Sequence, residues 1–467
     1  MTRHLAWTLA LTAAAIFMVT LDNLVVTTAL PVLREDLGAS LADLEWTVNA
    51  YTLSFAVSLL TGAALGDRFG RRRTLATGVG IFTAASAAAA LAPSVGVLIA
   101  ARGIQGFGAA MVAPLTLTIL SHAFPAERRG AALGLWGAVG GIAISAGPLV
   151  GGAVIEGLSW QWIFWLNVPI GLAVVPLAVR RLEESHGADR SLDLVGLALA
   201  SAGLVALTWA IINGNRDGWT SPGILGAFAA AAALMTGFVM WESHTPEPML
   251  PLRLFRNRSF AAANGAALLM SFGLFGSIFL LSQFFQSVQG LSPLDAGLRL
   301  LPWTLAPLFV APLAGALSDR IGGRPLLITG LALQATGLAW QAAVTQPDAP
   351  YTSLIGAFAI TGIGMALFFA PVANVVLSAV APAEAGKASG ANAAIREIGG
   401  VLGVAILAAV FSQAGGDISG GQAYTDGLRP AVYVGAVVVA AGAVAATLIP
   451  RRKRHPVPEP VPAFATA

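Results

Sequence analysis

The sequence lacks cysteine altogether and has few charged residues, with 26 basic and 23 acidic side chains among 467 residues. The absence of cysteine excludes disulfide bonds and metal sites built on thiolates. Charged residues make up 10% of the chain, whereas soluble domains contain about 25%, so a soluble multidomain protein is excluded. A disordered chain is excluded too, because such chains combine low hydrophobicity with high charge.

Long apolar runs are abundant instead. Hydrophobic residues make up 56% of the chain, and the mean hydropathy is +0.77. Runs of about 20 apolar residues can cross a bilayer as helices, which predicts an all-α polytopic membrane protein. The first run is too long for the core of a signal peptide and contains Asp22, so we expect a retained helix. Fourteen spans are predicted, near residues 8–30, 46–66, 75–92, 95–121, 132–155, 162–179, 192–212, 222–242, 260–286, 295–317, 325–345, 352–380, 397–414 and 430–449.

The positions of the basic residues predict the orientation. With the N-terminus in the cytoplasm, most Lys and Arg side chains fall in cytoplasmic loops and in the two tails, and the outer loops hold Arg34, Arg216 and Arg429. Basic residues close to spans favour the cytoplasmic side. Both termini are therefore predicted to be cytoplasmic, which agrees with an even number of spans. The expected location of the protein is the cell inner (cytoplasmic) membrane.

A short loop sequence occurs twice. LGDRFGRR begins at Leu65, after the second span, and LSDRIGGR begins at Leu317, after the tenth. Matching positions in two blocks of six spans predict duplicated halves, an arrangement found in transporters; the alternative is coincidence combined with ordinary positive charge on cytoplasmic loops. The predicted boundaries are 1–185 for the N-terminal six-helix bundle, 186–250 for two inserted helices, 251–450 for the C-terminal six-helix bundle and 451–467 for a basic, proline-rich tail.

These two loops are candidates for a conformational latch. An aspartate there can cap a helix or pair with a nearby arginine, and a glycine allows a tight turn. Charge-assisted bonds from the loop to the other half would favour one conformation, and rocking of the halves would break them. The candidate latch residues are Asp67, Arg68, Gly70, Arg71, Asp319, Arg320 and Gly322.

Three further motifs lie inside predicted spans. LDNLVV begins at Leu21 in the first span, RGIQGFGAA at Arg102 in the fourth and GPLVGG at Gly147 in the fifth. With the repeated loops, they resemble the major facilitator superfamily, and more narrowly its fourteen-helix drug:proton antiporters. The resemblance covers about residues 8–450. It implies two six-helix bundles around a central cavity that opens alternately to each side, and export coupled to inward proton flow. We expect a monomeric transport unit.

Asp22 and Arg102 are the candidates for proton coupling. An ionisable group deep in a membrane helix costs about 2.5–3.5 kcal/mol on insertion scales, so it indicates a functional site. Asp22 lies about 12 Å and Arg102 about 10 Å below the predicted outer ends of their spans. Burial disfavours a charged carboxyl and a nearby arginine favours it, so a movement that alters either would make Asp22 bind and release a proton. The alternatives are a static ion pair and, for Arg102, a role in helix packing.

The other acids of the spans are predicted to lie near span ends, where water reaches them. These are Glu156, Glu242, Asp295 and Glu397. Asp22 is then the single deep acid, and we expect a low number of protons per transport cycle.

The glycine- and proline-containing motif of the fifth span is a candidate hinge or seal between the halves. A proline removes a backbone donor and bends a helix, and small residues let membrane helices approach closely. Ordinary helix packing is the alternative. The candidate residues are Gly147, Pro148, Gly151 and Gly152.

Candidate substrate contacts are amides and aromatic side chains of the second and ninth spans. An apolar cavity with a few such groups suits amphiphilic or aromatic compounds; the alternative for each residue is an interfacial belt or helix packing. The candidates are Trp46, Asn49, Tyr51, Asn264, Gln283, Phe284 and Gln286.

Other classes lack their motifs in the sequence. The segment Gly386–Ser389 lacks the spacing of a phosphate-binding loop, and the five histidines have no metal-ligand spacing. We therefore expect no enzyme activity, no cofactor, no metal, no nucleotide and no nucleic acid; the expected partners are a small-molecule substrate, protons and membrane lipids. Three alternatives remain open: proton-coupled uptake, export of an endogenous metabolite or lipid, and a transport-dead receptor on the same fold.

Overall fold

The structure, a computed structural model, describes residues 3–187, 192–381, 384–418 and 421–450. Within these ranges, the side chains of residues 126–131, 133–134, 138, 144–145, 319 and 370 are not described. The predicted tail 451–467 lies outside these ranges. Within them the secondary structure is helical, with sixteen α-helices, a 3-10 turn at Leu252–Arg256 and a π-helical turn at Phe284–Val288.

The first nine helices belong to the first eight predicted spans. They are α1 (Arg3–Leu37), α2 (Leu41–Phe69), α3 (Arg71–Ala90), α4 (Val95–Ala123), α5 (Ala126–Gly157), α6 (Trp162–Trp165), α7 (Asn167–Arg181), α8 (Leu194–Asp217) and α9 (Pro222–His244). The other seven belong to the last six spans. They are α10 (Arg258–Gln283), α11 (Pro293–Thr304), α12 (Ala306–Ile321), α13 (Gly323–Val344), α14 (Tyr351–Ser378), α15 (Ala385–Gln413) and α16 (Gly421–Thr447).

The number of helices able to cross a membrane is slightly lower than the predicted number of spans. Among the described residues, twelve helices are long and apolar enough, and a bent pair, Leu135–Ala143 with Ala146–Gly157, makes a thirteenth. The pair is bent by 43°, and Pro148 explains the bend, because a proline removes one helical hydrogen bond and clashes with the preceding turn. Helix α3 is not among them, because Arg71–Arg73 at its start make it too polar. The chain is a multi-pass membrane protein, and a total of fourteen spans stays a prediction.

Polar side chains in the loops fix where the helices begin. Ser40 and Asp43 form a capping box at the start of α2, in which each side chain bonds the backbone N–H of the other residue, at 3.2 and 2.9 Å. Asn257 accepts from the N–H of Ser259 at the start of α10. Such caps satisfy N–H groups that have no partner within the helix.

The same helix pairs recur in both parts of the chain. In the first part α1 packs against α5, α2 against α4, and α3 against α4 and α7. In the second part α10 packs against α15, α11 and α12 against α14, and α13 against α14 and α16. Counted along the chain, these are the same pairs in each block of six spans. The pairing supports the predicted duplication, and the exact boundaries of the halves stay a prediction.

Two seams join the halves, and the inserted pair lies along one of them. Helix α2 packs against α15 at the first seam, and α5 packs against α11 at the second. The inserted helices α8 and α9 pack against each other, and α8 also packs against both α2 and α15. The inserted pair is therefore attached to both halves at the first seam.

A glycine with positive φ separates the helices at both copies of the repeated loop. Gly70 lies between α2 and α3 with φ +105°, and Gly322 lies between α12 and α13 with φ +85°. Residues with a side chain rarely adopt this backbone conformation. The two copies thus share a turn geometry as well as a sequence.

We predict that Gly70→Ala lowers the thermal stability of the purified protein in detergent. The positive φ should cost about 1–3 kcal/mol for a residue with a side chain, and the new methyl would lie 2.7 Å from the Glu184 carboxyl carbon. Gly80→Ala, in the middle of α3 with open space around it, is the matched control and should not lower stability. Equal melting temperatures for the two variants would contradict this interpretation of the turn.

Candidate functional site

A buried carboxylate lies at the centre of the first half. Asp22, in the middle of α1, is 2% exposed. Its Oδ2 pairs with Nη1 of Arg102 on α4. Its Oδ1 accepts from Gln105 Nε2 at 2.8 Å and from Asn167 Nδ2 at 2.7 Å. Helices α4 and α7 therefore supply hydrogen-bond donors to both oxygens of this carboxylate on α1.

A second layer of hydrogen bonds holds those donors in place. The Ser86 hydroxyl oxygen on α3 accepts from Gln105 at 2.7 Å and from Asn167 at 3.2 Å. Gln105 Oε1 accepts from Arg102 Nη1 at 2.7 Å. A buried polar network is stable only when its members have partners, so the four helices fix each other's positions through this cluster.

Arg102 has partners besides Asp22. The side chain is fully buried, and Nε donates to the backbone oxygen of Thr47 at 3.3 Å. The guanidinium carbon lies 4.2 Å from the ring centre of Tyr51 and 5.9 Å from that of Phe164. Aromatic faces stabilise cations in buried positions. Arg102 would therefore keep several favourable contacts if a proton neutralised Asp22.

The structure brings the two predicted proton-coupling residues into direct contact. The matched depths of Asp22 and Arg102 indicated this from the sequence. Sequence reasoning missed the roles of Ser86, Gln105, Asn167 and Phe164 in the same cluster. Gln105 could have been found, because residues three apart share a helix face, and Asn167 is a polar residue early in an apolar span. Ser86 carried no such signal.

A narrow cleft runs between the halves beside this cluster. On one side it is lined by Asn23, Thr27 and Asn49, and on the other by aromatic and small residues of α10 and α15. It has space for about one water molecule. Both amide atoms of Asn49 are buried without a hydrogen-bond partner in the described part of the chain.

Of the predicted substrate contacts, only Asn49 lines this cleft. Tyr51 donates to the Val19 backbone oxygen at 3.2 Å and belongs to the Arg102 cluster. Trp46 packs on a cluster that contains residues of α8 and α15. Three of the remaining four have partners on other helices: Asn264 accepts from Asn392 at 3.0 Å, Phe284 packs on Tyr424, and Gln286 donates to the backbone oxygen of Thr28. Gln283 donates to the backbone oxygen of Phe279 on its own helix.

Hydrogen bonds join the halves near the end of the molecule that is predicted to face outward. Gln286 on the π-helical turn donates to the Thr28 oxygen at 3.0 Å, and Ser282 on α10 donates to the Thr27 oxygen at 3.2 Å. Arg34, near the end of α1, donates to the backbone oxygen of Ile418. These contacts close the cleft on that side.

The glycine motif of α5 lies against both α1 and α11. A Cβ on Gly147 would lie 2.7 Å from Leu24 Cβ, and one on Gly151 would lie 3.1 Å from the Val25 oxygen. A Cβ on Gly152 would lie 2.5 Å from Leu294 Cα. The backbone of Pro148 lies against Gly297 of α11 in the same way. This close packing is compatible with the predicted seal, which stays a prediction.

The predicted latch loop is bonded to its own half and to the start of the inserted segment in this conformation. Arg71 Nε donates to Asp67 Oδ1 at 2.8 Å, and Gly187 N–H donates to the Asp67 backbone oxygen at 3.1 Å. The Glu184 carboxylate, just after α7, accepts from the N–H of Arg72 at 2.9 Å. Arg68 is exposed and lies over the Phe69 ring. Sequence reasoning missed Glu184, and a latch role for this loop stays a prediction.

The second copy of the loop gives less detail. Arg320 is exposed, and Gly322 adopts the turn described above. The side chain of Asp319 lies outside the described residues.

The prediction that Asp22 is the only deep acid is wrong. Glu397 is 5% exposed and lies twelve residues inside α15, which begins at Ala385. Glu45, on α2, is 3% exposed. The thirteenth span is predicted to begin at residue 397, whereas the helix begins at Ala385 and contains Lys387 and Arg396 before Glu397. A helix that packs inside a protein tolerates such polar residues in its first turns.

Comparisons with known proteins agree with this architecture. The family model described as Major Facilitator Superfamily matches residues 12–303 and 263–466. The chain is 36% identical to the tetracenomycin C resistance and export protein of Streptomyces glaucescens over 88% of this chain and 77% of that protein. It is 37% identical to the multidrug resistance protein Stp of Mycobacterium tuberculosis over the same shares. It is also 37% identical to the cephamycin export protein CmcT of Amycolatopsis lactamdurans over 96% of this chain and 93% of that protein.

A solved structure shows the same fold at low sequence identity. A transporter of the POT family, crystallised with a thioalcohol-conjugated peptide, superposes with a TM-score of 0.69 at 13% identity. The match covers 93% of this chain and 94% of that one.

We predict that Asn167→Leu destabilises the protein, because Asp22 and Ser86 each lose a donor. Gln105 still donates to both acceptors, but a hydrogen bond to a charged group contributes about 1.5–3 kcal/mol to stability, and the bond to Asp22 is lost. Asn213→Leu is the matched control, since Asn213 is also buried but donates to a backbone oxygen of its own helix, that of Trp209. Thermal unfolding in detergent measures both variants, and a larger loss in the control would contradict the network's importance.

We predict that Gly152→Leu weakens closure between α5 and α11. The added side chain has no space against the backbone of Leu294, whereas Gly157, one turn later in the same helix, has open space around it. Gly157→Leu is therefore the control. Cysteine labelling can measure closure, since the native chain has no cysteine. A Thr27→Cys reporter beside the cleft should react faster in the Gly152 variant, and equal rates would contradict the prediction.

Proposed function

The chain belongs to the major facilitator superfamily, and on that premise we propose that it is a proton-coupled antiporter that exports small amphiphilic or aromatic compounds. The proposal places it in the cytoplasmic membrane with both termini in the cytoplasm, working as a monomer by alternating access. The names of its relatives support export, because they include resistance and export proteins for tetracenomycin C, for cephamycin and for several drugs.

The buried Asp22 carboxylate is the observation that carries proton coupling. It is 2% exposed, and its partner Arg102 is fully buried. Removing one partner of a buried ion pair leaves an uncompensated charge, which is strongly unfavourable. A movement that separates Asp22 from Arg102 would therefore require the carboxylate to take up a proton.

The network around Arg102 makes such an exchange feasible. When Asp22 is protonated, Arg102 keeps its bonds to Gln105 and to the Thr47 oxygen, and it keeps the Tyr51 ring. The protonated carboxyl keeps the neutral donors Gln105 and Asn167. Most of these hydrogen bonds can thus persist in both protonation states, which suits a residue that binds and releases a proton in each cycle.

Alternating access would act on the contacts between the halves. Opening the predicted outer end requires the bonds from Gln286 and Ser282 to α1 to break. It also requires the close packing of Gly152 on α11 to separate. These contacts are few and lie close to Asp22 along α1, so a change in the charge of Asp22 can influence whether they form.

The proton gradient supplies enough free energy for export. One proton crossing 100 mV supplies about 2.3 kcal/mol, and a pH difference of one unit adds about 1.4 kcal/mol. With tight coupling this sustains accumulation of a neutral compound by several hundredfold. Glu45 and Glu397 are buried as well, so they are further candidates for carrying protons.

We predict that Asp22→Asn abolishes proton-driven transport while the protein stays folded. The experiment uses purified protein in proteoliposomes with an imposed pH gradient, a panel of drugs and a pH-sensitive dye inside the vesicles. Glu35→Gln is the matched control, because Glu35 lies on the same helix and is exposed. Full proton-dependent transport by the Asp22 variant would refute the role of this carboxyl.

The same vesicles separate the other functions that the sequence left open. An antiporter moves protons opposite to the drug, whereas a symporter moves both in one direction. Counterflow, the exchange of labelled for unlabelled drug without a gradient, should occur in wild type. Binding without counterflow would instead identify a receptor and would contradict the proposal.

A further inference from the structure

Two carboxyl groups meet at the ends of the inserted helices that are predicted to face the cytoplasm. Asp193 caps the start of α8, and Glu242 lies in the last turn of α9. Glu242 is 3% exposed, so the prediction that water reaches it is wrong. Asp193 Oδ2 and Glu242 Oε1 are both buried without a hydrogen-bond partner among the described residues. The packing therefore buries two acceptors that lack a donor.

These two oxygens are neighbours. A Cβ on Gly196 would lie 2.5 Å from Asp193 Oδ2 and 2.9 Å from Glu242 Oε1, so both oxygens converge over the bare backbone of this glycine. The two side chains lie within hydrogen-bonding reach of each other. Two ionised carboxylates at this separation repel each other, whereas a single proton lets one carboxyl donate to the other. The arrangement therefore has a place for one proton.

The helix ends indicate which side chain carries that proton. Asp193 Oδ1 accepts from the Gly196 N–H at 2.7 Å and from Trp241 Nε1 at 2.8 Å. A helix N-terminus favours a negative charge, and a helix C-terminus disfavours it. Asp193 lies at the N-terminus of α8, and Glu242 lies at the C-terminus of α9. The proton accordingly belongs on Glu242 Oε1, which then donates to Asp193 Oδ2.

Glu242 also holds the segment 245–251, which follows α9. Its Oε2 accepts from the Leu250 N–H at 3.0 Å. In the same segment, Met249 Sδ accepts from the Thr61 hydroxyl of α2 at 3.7 Å. The segment leads through the 3-10 turn into α10 of the second half. It thus links the inserted pair to the second half and touches the first half, and Glu242 fixes it to the end of α9.

Other charged side chains on the elements packed against α8 and α9 lie near the same end. On α9 and the turn after it these are His244, Glu247, Arg253 and Arg256. On α2 and α15, and just before α15, they are Asp67, Arg68, Glu384 and Lys387. Within the described part of the chain, Asp193 is the charged group that acts on Glu242. Asp189 and Arg190 lie outside the described residues.

We propose that Asp193 and Glu242 form a proton-binding site on the cytoplasmic side, in which one shared proton keeps the segment 245–251 attached to the inserted helices. Loss of the proton leaves two facing charges that must separate. Because two donors and a helix end hold Asp193, Glu242 is the group that moves, and it releases Leu250. The site is separate from Asp22, and it goes beyond the proposed function because it does not depend on which compound is transported.

Hydrogen exchange measured by mass spectrometry on the purified full-length protein in detergent tests the attachment. After correction for the intrinsic rate, the peptide containing Leu250 should exchange about tenfold or more faster at about pH 9 than at about pH 6, because a buried hydrogen bond is lost. In Glu242→Gln the neutral amide can donate to Asp193 and accept from Leu250, so the corrected rates should differ by less than about twofold. Asp193→Asn should behave in the same way, because its amide can donate to Glu242.

Glu247→Gln is the matched control, since Glu247 lies in the same segment and is exposed. This variant should keep the pH response of wild type. A corrected exchange rate at Leu250 that does not change with pH in wild type, or that changes equally in Glu242→Gln, would overturn the site.

Infrared spectroscopy of the same samples measures the proton itself. The carbonyl band of protonated carboxyl groups should be weaker in Glu242→Gln than in wild type at about pH 6, because one protonated carboxyl is removed. An equal band in both proteins would show that Glu242 is ionised, as it would be if Arg190 paired with it, and this result would also overturn the site.

Discussion

The ion pair between Asp22 and Arg102 is the constraint on which the first half depends. Neither charge has access to water in this conformation, so each relies on partners supplied by the protein. Taking two charges out of water is repaid only when their geometry is good and the remaining polar groups are bonded. Ser86, Gln105 and Asn167 supply most of these bonds from three different helices, and among the described residues Arg102 Nη2 alone of the pair's polar atoms has no hydrogen-bond partner. The same hydrogen bonds thus hold the helices of this half together and stabilise its buried charges.

The two halves of the molecule use similar folds for different chemistry. The same helix pairs occur in each, but the buried charges do not match. In the first half an acid on α1 is fully bonded to an arginine on α4. In the second half an acid on α15 is bonded on one side only, to its own chain neighbour. The two halves therefore share a pattern of helix packing, whereas their buried charges differ.

Much of the architecture could be predicted from the sequence, because apolar length and repeated motifs depend on local patterns. The repeat at Leu65 and Leu317 predicted two duplicated halves, and the similar depths of Asp22 and Arg102 predicted that the two communicate, directly or through water. The partners Ser86 and Glu184 could not be predicted, because a lone serine or an acid after a span has no distinguishing pattern. Glu397 was misplaced because a helix end was inferred from hydropathy, whereas tertiary packing decides how far a polar helix end continues.

The position of the inserted helix α8 makes the two seams unequal. It packs on both α2 and α15, so separating those two helices would also break the contacts of α8 with one of them. At the other seam, α5 and α11 meet through bare glycine backbones at Gly152 and Gly297. Small residues form flat surfaces that can part without disentangling side chains. We accordingly expect the halves to separate mainly at the α5–α11 seam, while α2 and α15 stay in contact and form the axis of the movement.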